Sequence, residues 1–377
     1  MKILVVSGIW PPDVGGPATH APELASFLER RGHSVEVVIT AAREPERRSY
    51  PVHAVSRSLP PGVRHGAVAA AVARRGRHAD VVYATTMLRR AAAGSAAAGR
   101  PLVVKVTTDE AYERARRMRL FDGSLAAFQE TRGSPRIRAL RWSRTAALRR
   151  AEHAFFPSAY LRSFALGWGL AAGKTSVLPN PAPVLPVFGD REELRARLGI
   201  SGPTLVLAGR LTAAKAVTVA LEAVERVPGV SLLVVGDGPD RAALERESTS
   251  RGLGARVSFT GSRTRTEVLS LFHAADAALL TSAWENFPHT VVEALATGTP
   301  VIATAVGGVP EVVSDGVNGL LVAAGDPAAV AGAIERFFDD DLLRERLRAA
   351  AAPSVADYAA DVLYSRIEDV LTRAARR

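Results

Sequence analysis

Residues 1–39, MKILVVSGIWPPDVGGPATHAPELASFLERRGHSVEVVI, decide the fold class of this chain. The apolar run 3–6 predicts a buried strand, and a glycine-rich turn follows it. Residues 19–31 predict a helix that ends at Gly32, and the apolar run 35–39 predicts the next strand. A helix that joins two such strands predicts a parallel sheet, because parallel neighbours require a crossover connection.

The alternation of strands and helices continues along the chain and is interrupted once. Residues 178–186, LPNPAPVLP, predict a linker, because proline cannot donate a hydrogen bond within a helix or a central strand. The other strand candidates are 81–83, 102–106 and 154–156 before this linker, and 204–208, 231–235, 256–259, 277–280, 301–303 and 320–322 after it. We therefore predict an α/β protein with two Rossmann-like parallel-sheet domains, 1–182 and 183–353, that face each other across a cleft.

The composition excludes several classes of protein. The chain of 377 residues has no cysteine, which excludes a disulfide scaffold, a zinc–thiolate site and a thiol nucleophile. The formal net charge of +10 is uneven: residues 1–184 carry a net charge of +15, and residues 185–377 carry −5. The two halves are therefore expected to meet different partners, and nucleic acid is not expected among them, since no recognition module accompanies the charge.

The lengths of the apolar runs help to predict the localisation of the protein. The first run stops before Pro11 and Pro12, which is too short for the apolar core of a signal peptide. No stretch reaches 18 uncharged apolar residues, so no membrane-spanning helix is expected. These features predict a cytoplasmic protein.

Three loops that follow strands carry candidate binding residues. In the first, Gly15 and Gly16 would let backbone N–H groups approach an anion, although a tight turn without a ligand is an equally good interpretation. In the second, Arg210 and Lys215 lie five positions apart, a pattern that suits a diphosphate. Lys215 is one of only four lysines, against 44 arginines, which favours a specific role.

The third loop joins the strand candidate 277–280 to a helix that is predicted to start near Pro288. Glu285 lies before this helix and Glu293 lies inside it, so the two carboxylates can reach different parts of one elongated ligand. Carboxylates accept hydrogen bonds from sugar and ribose hydroxyls, and the first N–H groups of a helix can hold a phosphate. An ordinary helix start with surface acids is the alternative.

Taken together, the motifs resemble the family 4 retaining glycosyltransferases of the GT-B fold. In chain order they are Gly15-Gly16, Gly209-Arg210 with Lys215, Val235-Gly236-Asp237-Gly238-Pro239, Phe259-Thr260-Gly261, Glu285 with Glu293, Gly298-Thr299-Pro300-Val301 and Gly307-Gly308-Val309-Pro310-Glu311. The resemblance covers nearly the whole chain. It implies that the N-terminal domain holds the acceptor, that the C-terminal domain holds a nucleotide-sugar donor, and that residues 354–377 cross back onto the N-terminal domain.

The resemblance also implies roles for individual residues. Arg210 and Lys215 would stabilise the leaving diphosphate, Glu285 would face the transferred sugar, and Glu293 would bind the donor ribose. Further donor contacts are implied for Gly15, Gly16, Asn286, Phe287, Pro288, His289 and Thr290. No metal and no cofactor beyond the UDP- or GDP-hexose co-substrate are expected. A lipid-linked glycan, a polysaccharide precursor or a small natural product would each suit as acceptor.

The chain departs from the family pattern at two positions. Many members carry a histidine after the fourth strand of the N-terminal domain, where this chain has Asp109 as the nearest polar candidate for contact with the sugar. A structural role for this acid is the alternative. The glycine that usually follows the phosphate-binding lysine is Ala216 here. His20 is expected to pack in a helix rather than act as a base.

Residues 114–150 contain 11 arginines, and Asp122 and Glu130 are the only acids among them. With Phe128 and Trp142 interspersed, the segment suits contact with an anionic membrane at the inner face of the cell or with a phosphorylated lipid acceptor, or it forms a solvated helical surface. Two other functions stay open for the whole chain: a nucleotide-sugar epimerase or hydrolase of the same fold, and a catalytically silent sugar-nucleotide-binding protein.

Overall fold

The computed structural model describes residues 1–13 and 16–376, which divide into two compact units. The N-terminal unit consists of Met1–Pro179 together with the chain from Asp361 onward, and the C-terminal unit is Asn180–Ala360. Each unit is built on one parallel sheet. The predicted α/β class with two Rossmann-like sheets is therefore confirmed.

Within the described residues, the N-terminal unit has a seven-stranded sheet in the order β3-β2-β1-β4-β5-β6-β7. The strands are β1 Lys2–Ser7, β2 Ser34–Ala41, β3 Val52–Ser56, β4 Val81–Ala84, β5 Leu102–Lys105, β6 His153–Phe156 and β7 Thr175–Val177. The helices are α1 Gly16–Arg30, α2 Pro61–Gly76, α3 Leu88–Ala98, α4 Glu110–Arg117, α5 Leu125–Glu130, α6 Pro135–Arg149 and α7 Ala159–Gly167.

The two strands that the sequence did not reveal lie at the edges of this sheet. In β3, His53 is half-buried and Ser56 is exposed, and in β7, Ser176 is half-buried. Central strands such as β1 are almost wholly apolar and buried on both faces, which makes them visible as apolar runs. An edge strand buries fewer side chains, so its sequence lacks that signal.

The C-terminal unit has a six-stranded sheet in the order β10-β9-β8-β11-β12-β13 among the described residues. The strands are β8 Thr204–Ala208, β9 Ser231–Val235, β10 Val257–Gly261, β11 Ala277–Leu280, β12 Val301–Thr304 and β13 Gly319–Val322. The helices are α8 Arg191–Arg197, α9 Val217–Arg226, α10 Arg241–Ser250, α11 Arg265–Ala274, α12 His289–Ala296, α13 Pro327–Asp339 and α14 Asp341–Ala351.

Two hydrophobic clusters cover opposite faces of this sheet. Leu205 and Leu207 of β8 belong to the cluster that includes α9 and α13, and Val206 and Ala208 belong to the cluster that includes α11 and α12. Successive side chains of a strand point to opposite faces, so an uninterrupted apolar strand serves both clusters. This burial fixes the strand ends, and therefore the loops that follow them.

The last helix, α15 Ala360–Ala375, packs on the N-terminal unit. Its Tyr364 hydroxyl donates to Glu23 of α1 at 2.8 Å, and Glu368 pairs with His33 at 2.8 Å. The division falls at Asp361 rather than 354 because the segment before it is held by the C-terminal unit, where Ala182 N donates to Tyr358 O at 2.8 Å. No helix in the described part of the chain is long and apolar enough to cross a bilayer.

Candidate donor site

Three loops of the C-terminal unit lie at one edge of its sheet. They follow β8, β11 and β12, which are neighbours in that order and run parallel. Parallel neighbours present their carboxyl ends at the same edge, and ligands of open α/β sheets bind there. The loop after β8 carries Arg210 and Lys215, and the loop after β11 carries Glu285.

Lys215 and Glu285 form an ion pair across two of these loops. The Lys215 ammonium donates to Glu285 Oε1, and the Ser282 hydroxyl donates to the same oxygen at 2.8 Å. The side chains are 23% and 12% exposed, so the pair is accessible to a ligand. The sequence placed these two residues in the same site, and the structure shows in addition that they contact each other.

The backbone holds the loops after β8 and β11 together. The Thr281 hydroxyl donates to the carbonyl oxygens of Lys215 and Ala216, each at 3.1 Å, and Ala283 N donates to Ala214 O at 2.9 Å. These bonds satisfy polar groups of both loops and limit their separation. The position of Lys215 relative to Glu285 is therefore set by the backbone as well as by the ion pair.

The loop after β12 contacts the backbone of Glu285. Gly308 N donates to Glu285 O at 3.1 Å. Gly307 has φ +53°, and a Cβ at this position would collide with the same carbonyl oxygen. Glycine is therefore required at 307 both by backbone conformation and by space.

Arg210 and Glu293 lie at the same edge in different environments. The Arg210 side chain is exposed and makes no ion pair with any described residue. Glu293, in α12, accepts a hydrogen bond from Arg265 Nε at 3.1 Å. Burial raises the pKa of Glu293, and the charge of Arg265 opposes that rise. The site therefore offers one unpaired cation and one carboxylate of raised pKa.

Residues 286–290, which lead into α12, include both buried and exposed side chains. Phe287 is buried and packs against Tyr358, so its side chain anchors the loop and leaves the backbone as its means of ligand contact. Pro288 is buried next to the start of α12, His289 is exposed and lies 3.0 Å from the Asn180 amide through Nε2, and Asn286 and Thr290 are half-buried. The predicted helix start is displaced by one residue.

The predicted glycine pair lies in the N-terminal unit. Gly15 falls outside the described residues, and Gly16 is the first residue of α1. His20, further along α1, is buried, and its Nε2 lies 3.1 Å from the Tyr83 hydroxyl. This position agrees with the expectation that His20 packs in the helix.

The prediction that Asp109 contacts the sugar is wrong, because its carboxylate is completely buried. One oxygen caps α4 by accepting from the backbone N–H groups of Ala111 and Tyr112, at 2.9 and 3.4 Å. The other accepts from Arg144 at 2.6 Å and from Gln129 at 3.1 Å. Both oxygens are therefore occupied by structural hydrogen bonds, as the alternative interpretation held.

Ala216 adopts a backbone conformation that favours glycine. Its φ and ψ are 44° and 47°, in the left-handed region, and it directly precedes α9. A non-glycine residue pays about 1–2 kcal/mol for this conformation. Alanine at this position therefore adds strain to the loop after β8.

The arginine-rich segment 114–150 forms α4, α5 and α6, and its arginines serve two purposes. Arg144 is buried against Asp109 with its guanidinium 3.6 Å from the Trp168 ring, and Arg141 donates to the Thr131 carbonyl at 2.7 Å. Eight others are exposed: Arg116, Arg117, Arg119, Arg132, Arg136, Arg138, Arg149 and Arg150. Trp142 is 74% exposed, whereas Phe128 is buried and unavailable to a surface partner.

One buried lysine of the N-terminal unit was not identified from the sequence. Lys105, at the end of β5, is buried, donates to Pro179 O at 3.2 Å, and has its pKa lowered by burial to about 7. A cavity of about 60 Å³ lies beside it, with polar lining residues Thr85, Thr86, Thr107, Thr108 and Glu110. A lysine inside an apolar strand, in a chain with only four, was the signal available.

Comparison with known proteins now adds to this geometry. Residues 190–353 match the family Glycosyl transferases group 1, and residues 15–181 match the Glycosyl transferase 4-like domain. The two matches cover both units and both sets of predicted motifs. The chain belongs to the family 4 glycosyltransferases.

Curated relatives of this glycosyltransferase include mycobacterial enzymes. The chain is 37% identical over 211 residues to the D-inositol 3-phosphate glycosyltransferase of Mycobacterium marinum, and 35% identical over 215 residues to that of Mycobacterium tuberculosis. Each match covers 52% of the chain. The chain spans less than half the length of these relatives, 44% and 43% respectively.

Solved structures share the fold along the whole chain. Anabaena Alr3699/HepE, in complex with UDP, has a TM-score of 0.80 at 24% identity and covers 99% of this chain and 100% of its own. The sucrose-phosphate synthase of Thermosynechococcus elongatus also has a TM-score of 0.80, at 20% identity, with 99% and 98% covered. These similarities establish the GT-B fold of the glycosyltransferase.

Proposed function

We propose that this glycosyltransferase moves a hexose from a UDP-sugar to a hydroxyl group of an acceptor, with retention at the anomeric carbon. The observation that carries the proposal is the meeting of Lys215, Glu285 and the unpaired Arg210 at one sheet edge. The family membership of both units supports transfer. UDP is favoured because the structural relative from Anabaena was solved with UDP and with UDP-glucose.

In the proposed reaction, the bond between the anomeric carbon and the diphosphate breaks, and a bond to the acceptor oxygen forms on the same face of the sugar. The acceptor hydroxyl loses its proton to the departing diphosphate. Negative charge develops on that diphosphate, where Arg210 and Lys215 stabilise it. Their charge provides this stabilisation without a divalent metal, so activity in excess chelator is expected.

The carboxylates orient the donor in this proposal. When the diphosphate attracts Lys215, Glu285 is released to accept hydrogen bonds from the hydroxyls of the transferred sugar. Glu293 accepts from the ribose hydroxyls. Backbone N–H groups at the start of α12, around His289 and Thr290, hold the sugar and phosphate oxygens.

The function is tested with purified protein, UDP- and GDP-sugars and a panel of hydroxyl acceptors. We expect UDP to raise the melting temperature, and a glycosylated product to form with retained anomeric configuration by NMR. Lys215→Ala and Glu293→Ala should abolish transfer in folded protein, while Lys174→Ala, a surface lysine, should not. Full activity of both site variants would contradict these assignments.

Two outcomes would instead favour the other functions. Conversion or hydrolysis of the nucleotide sugar without any acceptor would indicate an epimerase or a hydrolase. Binding without turnover over the whole acceptor panel would indicate a silent sugar-nucleotide-binding protein. The ion pair of Lys215 with Glu285 argues against the last, since a binding module has no need of both charges.

We further propose that the exposed arginines of segment 114–150 contact an anionic membrane together with Trp142. The support is their shared exposure and the positive charge of this half of the chain. Co-sedimentation with vesicles should require phosphatidylglycerol and should weaken in Arg136→Gln/Arg138→Gln, but not in the matched pair Arg197→Gln/Arg226→Gln. Equal sedimentation of all forms would indicate a solvated helical surface.

A further inference from the structure

Four arginines of the N-terminal unit lie around His65, and one acid lies near three of them. They are Arg64 of α2, Arg89 and Arg90 in the first turn of α3, and Arg114 of α4, and the acid is Glu110 at the start of α4. The charges of all four arginines lower the pKa of His65, after burial, which is the largest cause. The positive charges of the four side chains are therefore concentrated around a single position.

The sheet topology explains why they meet. Helix α3 begins four residues after β4, and α4 begins five residues after β5, where β4 and β5 are parallel neighbours. Both helix starts therefore lie at the carboxyl edge of the sheet, and Leu88 N of α3 donates to Glu110 Oε1 at 3.3 Å. Helix α2, which carries Arg64, packs against α3.

The cluster lacks the negative charge that would balance it. All four arginines are half-buried, and none forms an ion pair with a carboxylate among the described residues. By contrast, the buried Arg144 is paired with Asp109, and Arg191 with Asp276 at 2.9 Å.

The environment of the cluster shifts the pKa values of its members. Burial, followed by the neighbouring arginines, lowers the pKa of Arg114, and burial raises the pKa of Glu110. Half-buried like charges repel each other at reduced solvent screening. A bound anion would relieve that repulsion.

We propose that this cluster binds a phosphate monoester group of the acceptor, an inference that rests on the proposed transferase function. A phosphate carries up to two negative charges and three oxygens that arginines bind bidentately, whereas a carboxylate would balance only one charge. Glu110 also lines the cavity beside Lys105, next to the hydroxyls of Thr85, Thr86 and Thr107. These hydroxyls lie where the polyol or sugar attached to the phosphate would extend.

Calorimetric titration of the full-length protein with inorganic phosphate and with glycerol 1-phosphate tests the site. Wild-type protein should bind both, and Arg90→Gln or Arg114→Gln should weaken binding by about tenfold, since hydrogen bonds between charged groups are lost. Arg226→Gln, an exposed arginine of the other unit, is the matched control and should bind normally. Circular dichroism confirms that each variant is folded.

Because the donor site also contains cations, a second experiment compares the binding of UDP and of phosphate in Lys215→Ala and Arg90→Gln. We expect Lys215→Ala to lose UDP binding and keep phosphate binding, and Arg90→Gln to show the reverse. Phosphate binding that disappears only in Lys215→Ala would overturn the inference. Phosphate binding in a protein that binds neither UDP nor GDP would instead count against the proposed transferase function and leave the phosphate site standing.

Two further readouts identify the source of the phosphate and its position. Binding of glycerol 1-phosphate in solution indicates a soluble acceptor, and binding confined to vesicles with phosphatidic acid indicates a lipid headgroup; absence of both contradicts the inference. Phosphate should also raise the pKa of His65, followed by NMR, in wild-type protein and not in Arg90→Gln. An unchanged His65 titration in wild-type protein would place the phosphate elsewhere.

Discussion

Lys215 and Glu285 lie 70 positions apart in the sequence and form an ion pair at the carboxyl ends of β8 and β11. The lysine therefore has a competing anion when no donor is bound. In the proposed reaction, a diphosphate that reaches the site would displace Glu285, and this exchange would couple the arrival of the leaving group to the release of the carboxylate that orients the sugar.

Glu285→Gln should separate binding of the nucleotide from transfer. Removing the competing charge should tighten binding of UDP, which carries no sugar, by about 1 kcal/mol, roughly fivefold. Transfer should fall because the sugar loses its carboxylate. Titration calorimetry with UDP and a transfer assay measure the two effects, with Glu335→Gln, an exposed acid of α13, as the control. Weaker UDP binding in Glu285→Gln would show that the pair does not compete with the diphosphate.

Ala216→Gly should stabilise the protein by about 1 kcal/mol. Glycine adopts the left-handed conformation at 216 without the strain that alanine bears, although it gives back part of the gain through a more flexible unfolded chain. Thermal unfolding of the C-terminal unit measures the change. Ala213→Gly, three residues earlier at negative φ, is the matched control and should lower stability. A lower melting temperature for Ala216→Gly would contradict the strain argument.

Lys105→Met should change how stability depends on pH. The pKa of Lys105 is lowered from 10.5 to about 7 in the folded protein, so between these values the unfolded chain binds the extra proton. In the wild type, Lys105 does not lower the free energy of unfolding above pH 10.5. As the pH decreases from 10.5 to 7, the free energy of unfolding falls by about 1.4 kcal/mol per pH unit. The methionine variant lacks this dependence.

The stability of Lys105→Met relative to the wild type should therefore be greatest at and below pH 7 and should decline towards pH 9.5. Urea unfolding at pH 7, 8 and 9 measures the difference. Lys174→Met, at a half-exposed lysine, is the control and should show no such slope. A constant difference between Lys105→Met and the wild type over this range would mean that the buried lysine keeps its ordinary pKa.

Asp109→Asn should act on stability rather than on chemistry. It leaves the buried Arg144 without its counter-charge, and loss of one partner of a buried pair costs about 3–5 kcal/mol. The expected result is a lower midpoint of urea unfolding, with Asp122→Asn, an exposed acid of the same segment, as the control. A variant with normal stability and no transfer activity would restore Asp109 as a contact of the sugar.

The central elements were predictable because burial leaves a local signature. Strands 204–208, 231–235 and 277–280 have the predicted bounds, since both faces of each strand pack against helices and their residues after the first are therefore apolar. Glycine and proline residues were the local sequence signal that predicted the loops and the linker. The edge strands β3 and β7 were not predictable, since half-exposed positions accept polar residues.

The role of Asp109 illustrates the limit of local patterns. An acid after a strand end suits both a ligand contact and a helix cap, and the sequence offers no measure of which oxygens are occupied. The hydrogen bond from Arg144, which lies 35 positions further along the chain on α6, shows that this carboxylate has a structural role. The same applies to Arg64, whose sequence neighbours give no indication that Arg89, Arg90 and Arg114 lie nearby.

The sequence alone therefore determined the buried strands, the linker, the family motifs and the residues from which a donor site could be built, because these depend on local composition and spacing. Only the tertiary structure decided that Lys215 pairs with Glu285, that Asp109 is buried inside the N-terminal unit, and that four half-buried arginines lie around His65. The physical reason is that strand order brings together loops that are distant in the chain. Burial then determines which charges are balanced and which remain available to a ligand.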